Sequence, residues 1–560
     1  MMTRVVLLVL TAFVISGKAH AGDWTHGGMA VTANPHATDA AIEMLSQGGH
    51  AVDAAIAAHL VLGLVEPQSS GIGGGGFLLV FEREDQALVF HDGRETAPSA
   101  ASPDMFLTDG EVMPFMEAWQ SGLSIGVPGA VALYKQAHDR HGRLPWPAVF
   151  EPAVRLAEEG FAVSPRLAGF LVRIARFTRL DENPGASDYF YPQGEPLKVG
   201  EIRKNPEYAA TLRALAKEGA EAFYQGELAR AIVAAAQAEP NPGRLSLVDL
   251  ENYAPKTREA VCGEFRALSI CSASPPSSGG AQIMIAQLYD HLLKDASDGD
   301  KVRAFVDAQR LAYADRDHYF ADPDYVEVPL KALLGVDYLR QRASDRADPD
   351  AAPRHGNLNR GVLSGSDTTE EAAGTTHLSI VDSDGNAVSF TATVEAAFGS
   401  SRWVQGFLLN NEMTDFARSY ESADALPANA VTPGKRPRSS MSPTFVFDAA
   451  GDLLLVTGSP GGNSIPAYVS KTIIGLLDWN LSPQEAVDFP NIVARGKKVR
   501  VETAEARGSE LAKSLRAYGY EVQEREGENS GLHLIYVSDD GLVGAADRRR
   551  EGTVRAWTDP

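Results

Sequence analysis

Two threonines carry the most pointed chemistry in this sequence. From Thr375 to Thr393 the residues alternate, with Leu378, Ile380, Val388, Phe390 and Ala392 apolar and Thr375, His377, Ser379, Ser389, Thr391 and Thr393 polar. Alternation with a period of two is a strand pattern. Matching polar to polar across a hairpin admits only pairs whose numbers sum to an even value. A three-residue loop, Ser383-Asp384-Gly385, with Gly385 in the left-handed bulge position, meets that condition. It pairs 382 with 386, 380 with 388, 378 with 390, 377 with 391 and 375 with 393. Thr375 then faces Thr393 directly across the hairpin, in a row of hydroxyls on its polar face. Threonine also favours strands for reasons of shape alone.

Two further segments offer complementary groups. Thr457-Gly458-Ser459-Pro460-Gly461-Gly462 joins an apolar strand to a helix. Consecutive glycine N–H groups at such a junction form a nest for an oxyanion, although a tight strand-to-helix turn uses glycine for backbone reasons too. Upstream, Arg436-Pro437-Arg438-Ser439-Ser440 reads either as cationic and hydroxyl donors for a carboxylate or as a solvated loop.

Other motifs are weaker. Gly71-x-Gly73-x-x-Gly76 has dinucleotide spacing in an inverted context, helix before and strand after, and reads as close backbone packing. Gly122-Leu123-Ser124-Ile125-Gly126 matches a serine-hydrolase elbow, but a helix starting at Pro128 places Ser124 inside the preceding strand. Asp382-Ser383-Asp384-Gly385 lacks the ligand spacing of a calcium loop and reads as a turn. The thirteen histidines form no metal-binding pair, so no metal is expected.

The elements that must position these groups are of two kinds. Alanine-rich helices at His36–Gln47 and Ala51–Val65, apolar on nearly every side, must lie buried against something flat such as a sheet. A strand at Phe77–Arg83 follows the glycine run, and a long helical middle occupies about residues 128–345. Arg354–Gly374 is polar and reads as a flexible surface segment, after which the pattern turns to strands. Helices surrounding strands drawn from both halves of the chain favour a layered α/β architecture.

The chain has 560 residues, 44% of them hydrophobic, enough for a large core. Its formal charge of −22 argues against a nucleic-acid partner and against docking on an anionic membrane. Residues 1–21 read as a signal peptide, with Arg4, an apolar stretch and Ala19-His20-Ala21, so the protein is expected to be exported, periplasmic or secreted. Two cysteines exclude a four-cysteine zinc site and an iron–sulfur cluster. Val261–Ala273 reads as a hairpin turning at Arg266-Ala267, which sets Cys262 opposite Cys271 at a non-hydrogen-bonded site and predicts a disulfide.

Several segments occur together in one order. They are Glu66-Pro67-Gln68-Ser69-Ser70-Gly71, Asp92-Gly93-Arg94-Glu95-Thr96-Ala97-Pro98, Gly126-Val127-Pro128-Gly129 and Pro276-Ser277-Ser278-Gly279-Gly280. Thr375-Thr376-His377, Asn410-Asn411-Glu412-Met413-Thr414-Asp415-Phe416, Lys435-Arg436-Pro437, Ser439–Pro443 and Gly458–Gly462 follow. Jointly they resemble the gamma-glutamyltransferase (glutathione hydrolase) family of N-terminal nucleophile hydrolases.

The resemblance implies a four-layer αββα sandwich made as one precursor. Cleavage between Gly374 and Thr375 would give a large subunit, 22–374, and a small subunit, 375–560, held together as a heterodimer. By resemblance Thr375 is the nucleophile, Thr393 orients it, and Gly461 and Gly462 donate to the oxyanion. Arg94, Ser439 and Ser440 would bind the substrate α-carboxylate, and Glu395, Glu412 and Asp415 its α-ammonium. The implied donor is a γ-glutamyl compound such as glutathione, the acceptor water or the amine of an amino acid or peptide, with no cofactor. This sequence departs from the pattern in three places: Glu395 and Glu412 stand where some members carry amides, Gly374 where many carry a larger polar residue, and Ala417–Pro427 is short for a lid. A glutaryl-type cephalosporin acylase of the same fold, a Ser124 hydrolase and a non-catalytic peptide-binding protein are the alternatives.

Overall fold

Two antiparallel sheets stack face to face, and helices cover the outer side of each. The computed structural model describes residues 24, 26–174, 177–293, 298–358, 367, 369–372, 374–420 and 426–558. The expected leader therefore lies outside the described residues. The first sheet has seven strands in the spatial order Thr553–Trp557, Gly28–Thr32, Gly374–Val381, Ala387–Glu395, Gly75–Glu82, Ala87–Gly93 and Lys256–Arg258. The second has six: Gly541–Ala546, His533–Ser538, Leu453–Gly458, Thr444–Phe447, Leu268–Ser272 and Val261–Phe265. This is the four-layer αββα sandwich, with strands from both halves of the chain interleaved in each sheet.

The alternation in 374–395 explains why these strands are central. The even-numbered residues Leu378, Ile380, Val388, Phe390 and Ala392 pack with the helices Pro35–Ser46 and Ala51–Val65 in one core. The second helix is buried along almost its whole length because it lies between the sheet and Glu151–Glu159, which is why its residues are small and apolar on all sides. Asn34 caps the first helix and a His50–Asp53 capping box starts the second.

The odd-numbered face looks at the second sheet rather than at water. Ser389 Oγ donates to the Thr457 carbonyl at 2.9 Å and Ser379 Oγ to the His533 carbonyl at 3.0 Å. His377, held by Thr391 Oγ1 at 2.8 Å and Ser379 Oγ at 3.1 Å, stays neutral because burial drives its pKa well down. Farther along, the same interface becomes apolar, with Phe81 against Phe447.

The hairpin register is the expected one, with 375 opposite 393, 377 opposite 391, 378 opposite 390 and 380 opposite 388, and Gly385 at φ 81° closes the loop. Asp382 Oδ1 accepts from the N–H groups of Asp384 and Asn386, so the acidic loop is a turn. Cys262 and Cys271 are paired across the expected hairpin and joined as a disulfide. At Gly73 and Gly74 a side chain would run into the carbonyls of Leu408 and Thr393, so these glycines serve close backbone packing.

Two expectations fail. Ser124 belongs to a short 3-10 turn, Gly122–Ser124, and its hydroxyl donates to the carbonyls of Trp119 and Ser121 in the interior. The following helix starts at Ala130 rather than Pro128. Arg354–Gly374 is a surface segment only in part: Arg354, His355, Asn357 and Glu370 are exposed, whereas Gly356, Asp367 and Glu371 make ion pairs and hydrogen bonds with buried arginines and aspartates. Polar residues buried by charged partners look, in composition, like solvated ones. Among the described residues no helix is long and apolar enough to cross a membrane.

Candidate active site

Thr375 stands at the start of its strand with Oγ1 3.2 Å from Thr393 Oγ1. The hydroxyl of Thr393 has one proton, and it goes to the Gly374 carbonyl at 2.8 Å, while Thr393 Oγ1 accepts from Glu395 N–H at 2.7 Å. Thr375 must therefore donate to Thr393, which leaves its lone pairs unengaged beside a carbonyl already polarised by a hydrogen bond. The strand pairing shifts between Gly374 and Thr375: Gly374 faces Glu395 and Thr375 faces Thr393, with Val394 as the extra residue of a bulge. Glu395 has φ 76°, a strained value for a non-glycine residue, and a side chain at position 374 would collide with Glu395 and Ala396 backbone. Arg550 Nη1 donates to the Thr375 carbonyl at 2.8 Å.

The glycine junction comes from the other sheet. Leu453–Gly458 ends beneath it, Gly461 (φ 138°) and Gly462 (φ 55°) adopt conformations that favour glycine, and the helix Ile465–Leu477 follows. Gly462 lines the same cleft as Thr375, and Gly461 lines the adjoining groove. The carbonyls of Glu371 and Ala372 press against Gly462, so in the uncut chain the residues before Thr375 lie over the glycine turn.

One side of the cleft is rich in carboxylates. Arg94, wholly buried, pairs with Glu412 through Nη1 and with Asp415 through Nη2 at 2.6 Å, and donates to the carbonyls of Pro437 and Arg438. Glu395 is held by Asn411 Nδ2 and by Ala372 N–H at 2.8 Å. Burial pushes the pKa values of Glu395, Glu412 and Asp415 well above the ordinary carboxylate range, reinforced by their mutual repulsion. Glu95 behind them is pushed up to about 7 for the same first reason. Glu412 Oε2 and Asp415 Oδ1 are buried without a hydrogen-bond partner.

Glu371 also lines the cleft, and behind it lie buried guanidinium groups. Ser439 lines the cleft with its hydroxyl accepting from Met441 N–H, and Ser440 Oγ accepts from Arg316 Nη2 at 2.6 Å. Arg316 pairs with Glu371, and Arg438 with Asp367 at 3.1 Å. The structure thus brings Thr375, Thr393, Gly462, Arg94, Glu395, Glu412, Asp415 and Ser439 around one cleft. Ser440, held by Arg316, is not among the residues that line it. Arg316, Glu371 and Arg550 join the site without a signal in the sequence. Arg316 lies in the last turn of the helix Asp298–Tyr319, Glu371 in a stretch with the composition of a solvated segment and Arg550 in a run of three arginines.

Known proteins resemble the chain over nearly its whole length. The family model described as gamma-glutamyltranspeptidase matches residues 37–557. A glutathione hydrolase proenzyme of Escherichia coli is 34% identical over 533 residues, 93% of this chain and 90% of that protein. An acylase ACY 1 proenzyme of a Pseudomonas species is 34% identical over 541 residues, 94% of this chain and 93% of its own. Among solved structures, a cephalosporin acylase from Bacillus halodurans superposes with a TM-score of 0.84 at 27% identity, covering 99% of this chain and 100% of that one. A match over nearly the whole chain, on a four-layer sandwich whose cleft holds the threonine pair, shows that this chain belongs to the gamma-glutamyltranspeptidase family of N-terminal nucleophile hydrolases.

Proposed function

We propose that the chain cuts itself between Gly374 and Thr375 and then, as a heterodimer of 22–374 and 375–560, transfers γ-glutamyl groups from glutathione-like donors to water or to an amino-acid or peptide amine. The observation that carries this is the hydrogen-bond order at the threonine pair: Thr393 donates to the Gly374 carbonyl and Thr375 donates to Thr393. Thr375 Oγ1 attacks the Gly374 carbonyl carbon, the C–N bond breaks, and the acyl group moves from nitrogen to oxygen. Water hydrolyses that ester, leaving a carboxylate on Gly374 and an α-amine on Thr375. An α-amine has a reference pKa of about 7.7–8.0 and can serve as the base for its own hydroxyl. In turnover the same oxygen attacks the donor γ-carbonyl, Gly461 and Gly462 N–H groups steady the oxyanion, and the amine leaves. The resulting γ-glutamyl ester passes to water or to an acceptor amine.

The carboxylate-rich side supports a donor that carries an ammonium. Glu412 Oε2 and Asp415 Oδ1 are acceptors without donors, and a –NH3+ group supplies them. A glutaryl donor lacks it, and the likeness to acylases makes that the second reading. Export through residues 1–21 completes the proposal.

Denaturing electrophoresis with N-terminal sequencing tests the cut. Two fragments are expected, the smaller beginning Thr375-Thr376-His377. Thr375→Ala stays as one inactive chain, and Thr375→Ser is cut more slowly. A wild type that is fully active and intact sinks the mechanism. Initial rates on γ-glutamyl and glutaryl anilides then separate the two readings.

A further inference from the structure

Arg550 reaches Thr375 from the far end of the chain. Its Nη1 donates to the Thr375 carbonyl at 2.8 Å, while Nε donates to the Ser530 carbonyl at 3.3 Å and Nη2 to the Asn529 carbonyl at 3.2 Å. Its own N–H donates to the Asp547 carbonyl at 3.2 Å, and a Cβ on Gly531 would strike Arg550 Cδ. Gly531 N–H in turn donates to Ser459 Oγ, in the glycine junction, at 3.3 Å. The guanidinium is therefore fixed by backbone on one side and grips backbone on the other.

Cleavage after Gly374 makes Thr375 a chain end, and untethered ends fray. Arg550 fastens the carbonyl of that end, while Thr393 orients its hydroxyl. Backbone dimensions keep a residue's own nitrogen within about 3.6 Å of its carbonyl oxygen, so Nη1 lies about 6 Å or less from the new amine. A like charge at that range disfavours a protonated amine.

Little nearby cancels this charge. Among the described residues only Glu66 comes within ion-pairing reach of Arg550, at 4.0 Å, and burial pushes that carboxyl above its ordinary range. Arg166 stands 3.7 Å from Glu66, Asp547 is paired with Arg549 at 3.0 Å, and burial keeps the Tyr468 phenol and the His377 and His533 rings neutral. Burial draws Arg550 itself down only to about 9, so it stays cationic through neutral pH. On the cleft side Thr375 meets Arg94, Glu395, Glu412 and Asp415, and before the cut Glu371. The first three of these carboxyls are the ones that burial pushes up, which leaves cations to set the field at the amine of the ligand-free enzyme.

We infer that Arg550 is a positioning residue for the proposed reaction: it pins the freed Thr375 in its strand and, as a fixed cation, keeps the new α-amine unprotonated at neutral pH and able to take the proton of its own hydroxyl. This rests on the self-cleavage reading above, and the test keeps the two apart.

Trace labelling with dinitrofluorobenzene, which attacks unprotonated amines, is followed on the Thr375 peptide by mass spectrometry between about pH 5 and pH 9. In the matured wild type the midpoint should lie about one pH unit below the ordinary α-amine value of about 7.7–8.0. Arg550→Met should raise it by about one unit, and Arg550→Lys should bring most of that shift back. Relative to wild type at the same pH, Arg550→Met should lose about 10-fold in kcat/KM on γ-glutamyl anilide near pH 6.5 and recover most of it near pH 8.5. A loss equal at every pH, with an unmoved midpoint, is the mark of a structural role alone and overturns the assignment. If Arg550→Met is not cut or does not fold, the wild-type midpoint decides, and one at or above the ordinary value overturns the assignment. A matured enzyme inert towards the anilide but with the low midpoint fails the proposed transfer and keeps the role of Arg550. An active enzyme with an ordinary midpoint does the reverse, and a wild type that stays whole overturns both.

Discussion

Beside Thr375, Glu95, Glu395, Glu412 and Asp415 crowd around the Arg94 guanidinium, whereas behind the cleft lining Arg316 and Arg438 face Glu371, Asp317 and Asp367. Both groups are buried, so burial alone does not distinguish them. Their titration runs in opposite directions. The carboxyls beside Arg94 are pushed up, while Arg316 and Arg438 pull Glu371 down to about 2 and Arg438 holds Asp367 low as well. The difference lies in the balance of charge: too few cations on the first side, enough on the second. In the proposed reading, the carboxylates around Arg94 that outnumber their cations are what a donor ammonium meets.

The comparison breaks most sharply at Asp415. Asp415→Ala removes a partner of Arg94 and, in the proposed reading, of the donor ammonium together. It should lower kcat/KM for γ-glutamyl anilide by about 30- to 4,000-fold, the span expected for loss of one partner of a buried charged pair. The glutaryl compound should lose much less, so the preference between donors narrows. If both fall equally, the acidic side is not reading the ammonium.

Glu412→Gln is a gentler change, keeping shape and one acceptor oxygen. About a 10-fold loss on γ-glutamyl anilide is expected, the low end for a charge-assisted hydrogen bond. Preserved activity would assign the ammonium to Glu395 and Asp415 alone.

Proton linkage sharpens the contrast further. Between the ordinary carboxylate range and about pH 7 the folded, ligand-free acidic side holds protons that the unfolded chain has released, so stability falls as pH rises through that window. Glu371 contributes the opposite slope, fully stabilising above its ordinary value near 4.5 and losing that contribution as pH drops towards about 2. Thermal unfolding of Thr375→Ala should show Tm lower at pH 7.5 than at pH 5.5 by about 2–4 °C, and Glu412→Gln should flatten the trend. KM for a γ-glutamyl donor should fall over the same rise in pH, because the ammonium needs ionised partners, while KM for a glutaryl donor should not. A Tm that rises with pH would contradict the raised carboxyls.

The smallest effect on donor choice is expected far from both sides. Cys262 and Cys271 join the edge strand of the second sheet to its neighbour. Cys262→Ser should cost about 2–3 kcal/mol of stability for a loop this short and leave the γ-glutamyl to glutaryl ratio unchanged. A shifted ratio would couple that edge to the cleft.

Much of the frame is written locally. The period-two alternation, the position of Gly385 and the two-residue turn at Arg266-Ala267 are enough to place Thr375 opposite Thr393 and Cys262 opposite Cys271. Side-chain period and turn chemistry act over a few residues, and a slip by one would turn every apolar side chain of 374–395 away from the helices. The helix Ala51–Val65 is legible for the same kind of reason, since its small apolar residues exclude a solvated face. The surroundings of Ser124 are not legible in this way, because a G-x-S-x-G spacing says nothing about which carbonyls its hydroxyl will meet.

What only the tertiary structure decided is the pairing of charges. Residues 94, 316, 371, 412, 415 and 440 come from distant parts of the chain, and each reads locally as a solvated charge or hydroxyl. Their partners were chosen when the two sheets and the helix Asp298–Tyr319 closed around the cleft, since a buried charge must find an opposite one wherever packing puts it. The sequence by itself therefore determined the layered α/β class and the hairpin register that sets Thr375 opposite Thr393. Tertiary packing decided that Arg94 is committed to Glu412 and Asp415, and that Arg316 and Ser440 hold Glu371, because ion pairing in the interior follows proximity in space and leaves no period in the chain.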